Sequence, residues 1–269
     1  MICVPIVART QIEALRKIER SAPLTDIIEL RMDMIRGGNL GELINKVRSC
    51  PSFPKIIVTN RRKGEGITQL SPGGDSNTVK LTKKISTSET QRVATLNEAV
   101  ACGADYIDVE LNTPDDLRRE LLSAIGDYNN RTQPIISHHD FGKTPSTRRL
   151  KELFHESVKA GASVVKIVTF ARSPEDNLRV LDLIPYARKS KRSIVAFCMG
   201  EEGRISRILA PLLGSFLTFA SLSKGAESAA GQLTIREIRE IYKILKVKMP
   251  ALSEDGNVPL SQSDPQVEA

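Results

Sequence analysis

Eight short, almost unbroken apolar segments recur along this chain of 269 residues. We predict one β-strand for each segment, at residues 2–7, 27–30, 55–59, 106–111, 134–137, 164–170, 194–197 and 216–220. Hydrophobicity in these segments is continuous rather than alternating, which is typical of strands that are covered on both faces. The pattern therefore predicts a parallel sheet flanked by helices.

Helical segments with recognisable starts separate the predicted strands. Thr234 and Glu237 have the spacing of a capping box ahead of the last helix. Thr113 and Ser173 each precede a proline and acidic residues, and we predict that their hydroxyl groups cap two further helices. The chain is thus expected to alternate between strand and helix.

The length of the repeat bears on whether the parallel sheet is closed or open. Gly103 and Gly161 suit left-handed helix ends, and they are two units of about 29 residues apart, close to the length of a βαβ unit. Eight such units in about 250 residues favour an α/β fold of the (β/α)8, or TIM, barrel type over an open doubly wound sheet. No G-x-G-x-x-G motif follows the first strand, which argues against a dinucleotide-binding domain. We predict a single catalytic barrel domain at residues 1–249 and a polar, acidic, disordered tail or linker at residues 250–269.

Composition narrows the class of partner and the location. The net charge is +7, but four tyrosines, seven phenylalanines and no tryptophan leave few side chains for stacking on bases. Basic residues are also spread over helical faces, which favours an anionic small-molecule substrate over nucleic acid. The four cysteines are scattered without metal-ligand spacing, so we expect free thiols and no metal site. The chain shows no secretion signal and no run of apolar residues that could span a bilayer, so we expect a cytoplasmic protein without membrane contact.

Lys166 lies in the middle of the sixth predicted strand, where a charged side chain is uncommon. Such an ammonium group is either neutralised by a structural carboxylate or used in chemistry. In the second case, burial and neighbouring cations favour the uncharged amine, which can attack a carbonyl carbon. Lys166 is therefore a candidate nucleophile for Schiff-base formation.

Charged residues also lie near the ends of other predicted strands, where a barrel of this type has its active site. Glu29 and Arg31 share one face of the second strand, either as an ion pair or as ligands for substrate hydroxyl groups. Asp108 and Glu110 repeat this pattern in the fourth strand. We expect the latter pair to form an inward-facing, structural layer of charge.

The fifth predicted strand is followed by His138 and His139, two of the three histidines in the chain. Neighbouring residues of a strand point to opposite faces, so only one of the two can face the barrel mouth. This geometry disfavours a metal site at the pair. A neutral imidazole beside Lys166 would supply a proton acceptor near pH 7.

The loops after the third, seventh and eighth strands add further polar groups. Arginines on the loops after the third and seventh strands could bind a carboxylate in a two-pronged fork. Residues 228–232, after the eighth strand, lead into the last helix and could bind an anion through side chains and backbone N–H groups.

Six motifs occur in matching order on these strands and loops. They are E-L-R at 29–31, N-R-x-x-x-E-G at 60–66, H-D-F at 139–141, the strand lysine Lys166, M-G-x-x-G-x-x-S-R at 199–207 and S-A-x-G-Q at 228–232. Together they resemble the motifs of the type I 3-dehydroquinate dehydratase family, over residues 2–246. The resemblance implies a (β/α)8 barrel hydro-lyase without metal or organic cofactor. Its reaction in the shikimate pathway of aromatic amino acid biosynthesis removes water from 3-dehydroquinate and gives 3-dehydroshikimate.

The resemblance also implies a role for each matching residue. Lys166 would form the Schiff base with the C3 ketone of the substrate. His139 would accept a proton from C2 and then deliver one to the departing C1 hydroxyl group, and Glu65 would orient and charge this histidine. Arg207 would bind the carboxylate. The other substrate-binding residues implied are Glu29, Arg31, Arg61, Ser228 and Gln232.

Assembly and some alternatives stay open at this point. The resemblance suggests a homodimer, and a shikimate dehydrogenase could be fused downstream or act as a partner. Residues 67–90 depart from the family pattern, so the conformation of this loop is not predicted. The two competing hypotheses are a class I aldolase that acts on a phosphorylated sugar and a basic RNA-binding protein without catalysis.

Overall fold

The structure is a computed structural model, which describes residues 1–62, 89–128 and 131–247. Its strands are β1 (Ile2–Ile6), β2 (Ile27–Arg31), β3 (Lys55–Thr59), β4 (Tyr106–Glu110), β5 (Gln133–His139), β6 (Val164–Phe170), β7 (Ser193–Met199), β8 (Thr218–Ser221) and β9 (Leu233–Thr234). Its α-helices are α1 (Gln11–Ser21), α2 (Leu40–Arg48), α3 (Glu89–Ala101), α4 (Asp115–Asp127), α5 (Thr147–Lys159), α6 (Glu175–Leu181), α7 (Leu183–Lys189), α8 (Arg204–Leu212) and α9 (Ile235–Ile244). All eight predicted strands are present, and β9 is a short addition that the sequence did not predict.

The strands form one curled parallel sheet with the order β7-β6-β5-β4-β3-β2-β1-β8-β9. The two ends of the eight-strand series meet, because the Phe216 N–H donates to the Ile194 carbonyl oxygen at 2.7 Å and so joins β7 to the segment ahead of β8. Helices alternate with the strands along the chain. The predicted (β/α)8 barrel class is confirmed.

Residues of a single strand alternate between two hydrophobic clusters. Ile27, Ile57 and Val164 belong to the cluster inside the barrel. Their neighbours Ile28 and Val165 belong to the larger cluster between the sheet and the helices. Both faces of each strand are therefore buried, which is the physical reason for the continuous hydrophobicity of the sequence.

Several local predictions are confirmed. Thr234 and Glu237 form a capping box at the start of α9, with hydrogen bonds in both directions. Gly103 and Gly161 have φ values of 78° and 94°, in the left-handed region where a Cβ atom is unfavourable. These residues end helices and lead the chain back into β4 and β6.

The predicted hydroxyl caps of two helices are wrong. The cap positions of α4 and α6 are occupied by Pro114 and Pro174, without a side-chain hydrogen bond, so Thr113 and Ser173 lie one residue too early. The Thr113 hydroxyl instead accepts a hydrogen bond from Arg92 Nη2 at 2.8 Å. A buried guanidinium group needs acceptors, and this tertiary contact outweighs the local pattern.

Some predictions fall on residues that the structure does not describe. Glu65, most of the 67–90 loop and the tail at 250–269 lie outside the described residues. The division into a domain at 1–249 and a tail therefore stays a prediction. None of the described helices combines the length and the hydrophobicity that a membrane-spanning segment requires.

Candidate active site

A cavity opens at the mouth of the barrel, where the carboxyl ends of the parallel strands meet. Its volume is about 540 Å3, including the opening to solvent. Every predicted site residue that the structure describes lines this one cavity: Glu29, Arg31, Arg61, His139, Lys166, Arg207, Ser228 and Gln232. The structure therefore brings together residues that are spread over most of the chain.

Lys166 lies on β6 with its side chain 6% exposed. Its sequence neighbours Val165 and Ile167 belong to the outer cluster, so the strand period turns Lys166 toward the barrel interior. Its Nζ atom donates to Asp108 Oδ2 at 2.7 Å and lies 4.0 Å from Glu29 Oε1. The lysine is thus both paired with a carboxylate and part of the cavity wall, so the two interpretations of the sequence coexist.

Asp108 connects Lys166 with a second cation. Its carboxylate accepts from Arg61 Nη2 at 2.8 Å and from the Ser137 hydroxyl at 2.6 Å. Burial by itself would raise the pKa of Asp108, but Arg61 and Lys166 together hold it well below its usual range. Glu110 lies 3.4 Å from Arg61 Nη1. The predicted inward-facing layer of charge is therefore present, and Asp108 within it contacts the candidate nucleophile directly.

His139 is the histidine of the pair that faces the barrel mouth, whereas His138 lines a separate surface cavity. Burial, reinforced by Arg61 and Lys166, lowers the pKa of His139 well below its usual value. The imidazole is therefore neutral near pH 7 and can accept a proton. Among the described residues, its Nδ1 atom has no hydrogen-bond partner, and its ring stacks on Phe141 with centroids 5.9 Å apart.

Arg207, on α8, is 1% exposed. Within the described ranges it has no carboxylate at ion-pair distance; its Nη2 donates to the Ala230 carbonyl oxygen at 3.2 Å, and its guanidinium lies 4.5 Å from the Phe197 ring centre. Burial lowers the pKa of Arg207 to about 10, so it remains protonated at neutral pH. A buried cation without a counterion is unfavourable unless an anion is bound, and this makes Arg207 a candidate anion site.

The loop after β8 is held against the loop after β7. The Gly200 N–H donates to the Ala230 carbonyl oxygen at 3.2 Å, and Gly231 has a φ of 74°. A Cβ atom at Gly231 would collide with the Gly200 carbonyl group, so only glycine fits this approach. Beside it, Gln232 Oε1 accepts from the Ser228 N–H at 2.7 Å. The Gln232 Nε2 atom is buried and, in the described part of the structure, has no partner, so it is free to bind a ligand oxygen.

Glu29 and Arg31 lie on β2, and both side chains line the cavity. Glu29 Oε1 accepts from the Thr59 hydroxyl at 2.6 Å. Arg31 does not pair with Glu29 but with Asp33, through Nε at 2.9 Å and Nη2 at 2.7 Å. The ion pair considered for the second strand is therefore replaced by one with a residue of the following turn.

Sequence reasoning missed two charged residues that pair with charged residues of β2 and β4; neither lines the cavity itself. Arg92 on α3 is 1% exposed; it donates a hydrogen bond to the Asn60 carbonyl oxygen at 3.1 Å and forms an ion pair with Glu110 Oε2 at 3.1 Å. Asp33 pairs with Arg31, as described above. An arginine in a helix and an aspartate in a turn are common on protein surfaces, so neither has a sequence signal that distinguishes it. The apolar part of the cavity wall was also not predicted: Phe141, Val168, Phe197, Met199, Phe219 and Ala229.

Comparison with known proteins gives the family of this site. Residues 2–249 match the family model described as type I 3-dehydroquinase. The chain belongs to the type I 3-dehydroquinase family. A 3-dehydroquinate dehydratase from Methanocaldococcus jannaschii is 34% identical to it over 248 residues, which cover 92% of this chain and 100% of the relative.

Solved structures agree with this membership of the type I 3-dehydroquinase family. The crystal structure of type I 3-dehydroquinate dehydratase from Clostridium difficile with covalently modified comenic acid has a TM-score of 0.74 and 26% identity, and the match covers 91% of each chain. A structure of dehydroquinate dehydratase and shikimate dehydrogenase from S. pombe has a TM-score of 0.66 and 22% identity. That match covers 92% of this chain and 45% of the other, and it supports the fold alone.

Family membership confirms the resemblance that the motifs indicated, together with the reaction and the enzyme class, a hydro-lyase of the type I 3-dehydroquinate dehydratase kind. The individual residue roles are a separate matter and are proposed below. Among the residues that the structure describes, no group of three or more His, Cys, Asp and Glu side chains is placed to hold a metal ion.

Proposed function

We propose that this chain removes water from 3-dehydroquinate through a Schiff base between Lys166 and the C3 ketone of the substrate, giving 3-dehydroshikimate. The observation that carries the proposal is the content of one cavity. A buried lysine, a neutral imidazole and a guanidinium without a counterion among the described residues all line it; they belong to Lys166, His139 and Arg207. These groups supply a nucleophile, a base and a carboxylate site.

Substrate orientation follows from charge. The carboxylate of the substrate is drawn to Arg207, because this guanidinium is buried and its charge is not balanced by a nearby described carboxylate. Ser228 and Gln232 lie on the adjacent loop, and the Gln232 amide N–H groups, which have no partner in the described part of the structure, bind an oxygen of the ligand. Glu29, Arg31 and Arg61 are left for the ring hydroxyl groups. The bound ring then presents its C3 ketone to Lys166.

Chemistry begins when the Lys166 ammonium group releases a proton and the resulting amine attacks C3. In all, the nitrogen loses two protons to the ketone oxygen, which leaves as water, so the iminium ion carries the positive charge that the ammonium had. Asp108, 2.7 Å from Nζ, is held ionised by Arg61 and Lys166, so it stabilises the charge of the iminium as it stabilised that of the ammonium. The iminium withdraws electrons and acidifies the hydrogens on C2.

His139 moves the protons in the next steps. As a neutral imidazole it accepts the proton from C2, which leaves an enamine and an imidazolium. The imidazolium returns that proton to the C1 hydroxyl group, which departs as water, and the C1–C2 double bond forms. Hydrolysis of the remaining imine releases 3-dehydroshikimate and restores Lys166. We propose Glu65, which lies outside the described residues, as the partner of His139; the Nδ1 atom, without a partner among the described residues, supports this.

The test is reduction with borohydride in the presence of 3-dehydroquinate, followed by mass spectrometry. We expect one adduct per chain, mapped to Lys166, and none in Lys166→Ala. Lys143→Ala is the matched control, because Lys143 is an exposed lysine of the separate surface cavity, and this variant should still be trapped. The unmodified protein should also produce the ultraviolet absorbance of the conjugated enone. No absorbance change, or an adduct on another lysine, would contradict the proposal.

Location and assembly are also proposed. We place the reaction in the cytoplasm, which is supported by the four cysteines, all of them free thiols. We further propose that the chain acts as a homodimer. We also propose a shikimate dehydrogenase as a fused or separate partner, an arrangement in which the S. pombe protein combines dehydroquinate dehydratase with shikimate dehydrogenase.

A further inference from the structure

Among the residues that the structure describes, four cationic side chains line the cavity, namely Arg31, Arg61, Lys166 and Arg207. The first three each have a carboxylate within 3 Å. In the described part of the chain, Arg207 alone has none. Of these four cations, Arg207 is therefore the one that can form an ion pair with an anionic ligand without first losing a carboxylate partner.

The pairing of Arg31 depends on a single residue of the turn after β2. The Met34 and Ile35 N–H groups both donate to the Arg31 carbonyl oxygen, at 2.9 and 3.1 Å, so the chain reverses directly after the strand. This reversal places the Asp33 carboxylate against the Nε and Nη2 edge of the Arg31 guanidinium. Both side chains are largely buried, at 10% and 14% exposure, so solvent screens the pair only weakly.

We propose that Asp33 is a specificity-determining residue, which neutralises Arg31 so that the substrate carboxylate is accepted only at Arg207. This inference rests on the function proposed above. A two-pronged guanidinium–carboxylate pair is the geometry that a substrate carboxylate would itself adopt at an arginine. With Asp33 in that place, Arg31 offers only its remaining N–H groups, which suit a neutral hydroxyl oxygen.

The consequence for catalysis concerns orientation. A substrate held by its carboxylate at Arg31 would be turned in the cavity, and its C3 ketone would no longer face Lys166. Asp33 removes this competing orientation, because its carboxylate repels the substrate carboxylate from Arg31. Specificity here comes from disfavouring the wrong orientation and not from a further contact with the right one. It acts through Arg31, and it does not take part in the chemical steps.

The test uses quinate, which carries a hydroxyl group in place of the substrate ketone and so binds without forming an imine. Its affinity is measured by calorimetry for the unmodified protein, Asp33→Asn, Arg207→Met and the double variant. Loss of Arg207 should weaken quinate binding at least about 30-fold. Adding Asp33→Asn to Arg207→Met should restore at least about tenfold of that loss, because Arg31 becomes available to the carboxylate.

Kinetics separate this role from a merely structural one. The double variant should bind quinate and yet not regain turnover of 3-dehydroquinate. In Asp33→Asn alone, kcat and KM should fall together, with kcat/KM unchanged to within about twofold, as expected for non-productive binding. If Asp33 only braced Arg31, its removal would raise KM, lower kcat/KM and weaken quinate binding further.

The controls keep each outcome decisive. Asp116→Asn, an exposed aspartate on α4, should restore no binding to Arg207→Met, which excludes a general effect of net charge. Asp33→Ser removes the same charge and replaces Asp33→Asn if that variant does not fold. A double variant that binds quinate no better than Arg207→Met would overturn the proposal. Failure of the unmodified protein to convert 3-dehydroquinate would instead refute the proposed function.

Discussion

Replacing Arg207 by methionine tests whether the buried Arg207 charge serves ligand binding while it lowers the stability of the ligand-free fold. Burial lowers the pKa of Arg207 from its usual value to about 10. One pKa unit corresponds to about 1.4 kcal/mol, so burying the charged form costs the folded state about 3 kcal/mol. The contact with the Phe197 ring at 4.5 Å offsets about 1 kcal/mol of this. The hydrogen bond to the Ala230 carbonyl oxygen, at 3.2 Å, offsets about 1 kcal/mol more.

The charged guanidinium should therefore destabilise the ligand-free fold by about 1 kcal/mol in total. Methionine has a similar length and no charge, so Arg207→Met should be as stable as the unmodified protein or about 1 kcal/mol more stable. The folded pKa lies below the unfolded one, so near neutral pH both states are protonated and the penalty is constant. It would diminish only as the pH rises through about 10.

The same substitution should damage function. Removal of a charged partner of a carboxylate typically costs about 2–5 kcal/mol of binding, so kcat/KM for 3-dehydroquinate should fall at least about 30-fold. Greater stability together with lower activity is the signature of a residue kept for ligand binding.

Urea unfolding near neutral pH, without ligand and followed by circular dichroism, measures the stability. The matched control is Arg61→Met, because Arg61 is buried in the same cavity but is paired with Asp108 at 2.8 Å and Glu110 at 3.4 Å. Removing one partner of a buried ion pair costs about 3–5 kcal/mol, so this variant should be clearly destabilised. An Arg207→Met variant destabilised by more than about 1.5 kcal/mol, or as much as Arg61→Met, would refute the reasoning.

Two further predictions concern the base and the carboxylate beside the lysine. His139→Ala should lower kcat by about 10²–10⁴-fold yet still give the borohydride adduct on Lys166, because imine formation and proton abstraction are separable; an adduct-free variant would contradict this order of steps. Asp108→Asn should lower the free energy of unfolding by about 3 kcal/mol near neutral pH. The folded pKa of Asp108 is depressed, so its contribution is present above the unfolded value of about 4 and is lost as the pH falls below it. Urea titrations at several pH values should therefore show the gap between unmodified protein and Asp108→Asn narrowing in acid; a gap independent of pH would argue against the ion pair.

Local sequence pattern was sufficient for the strands and for singling out the polar strand residues that the structure brings to one cavity. The continuous apolar segments arise because each strand is buried on both faces, and this holds for every unit of the barrel. Lys166 stood out because a charged side chain in such a segment is energetically unfavourable unless it is paired or used. The strand period also indicated that only one of His138 and His139 could face the mouth, as the structure has it.

Predictions that depended on a single capping residue were less successful. Thr234 caps α9 as its spacing indicated, but Thr113 does not cap α4, because its hydroxyl is an acceptor for the buried Arg92. A cap is worth about 1 kcal/mol, so a tertiary contact of similar strength can displace it. The contact between Arg92 and Thr113 joins residues far apart in sequence, so the local pattern around Thr113 does not indicate it.

The sequence alone therefore determined the alternation of strand and helix, the barrel class, the family and the identity of the polar residues at the strand ends. Only the tertiary structure decided which charges balance one another. Asp108 contacts Lys166 directly, and Asp33 forms an ion pair with Arg31. Arg207 has no counterion among the described residues. The physical reason is that hydrophobic periodicity is a property of neighbouring residues, whereas electrostatic pairing depends on distances between atoms that the chain brings together only when the barrel closes.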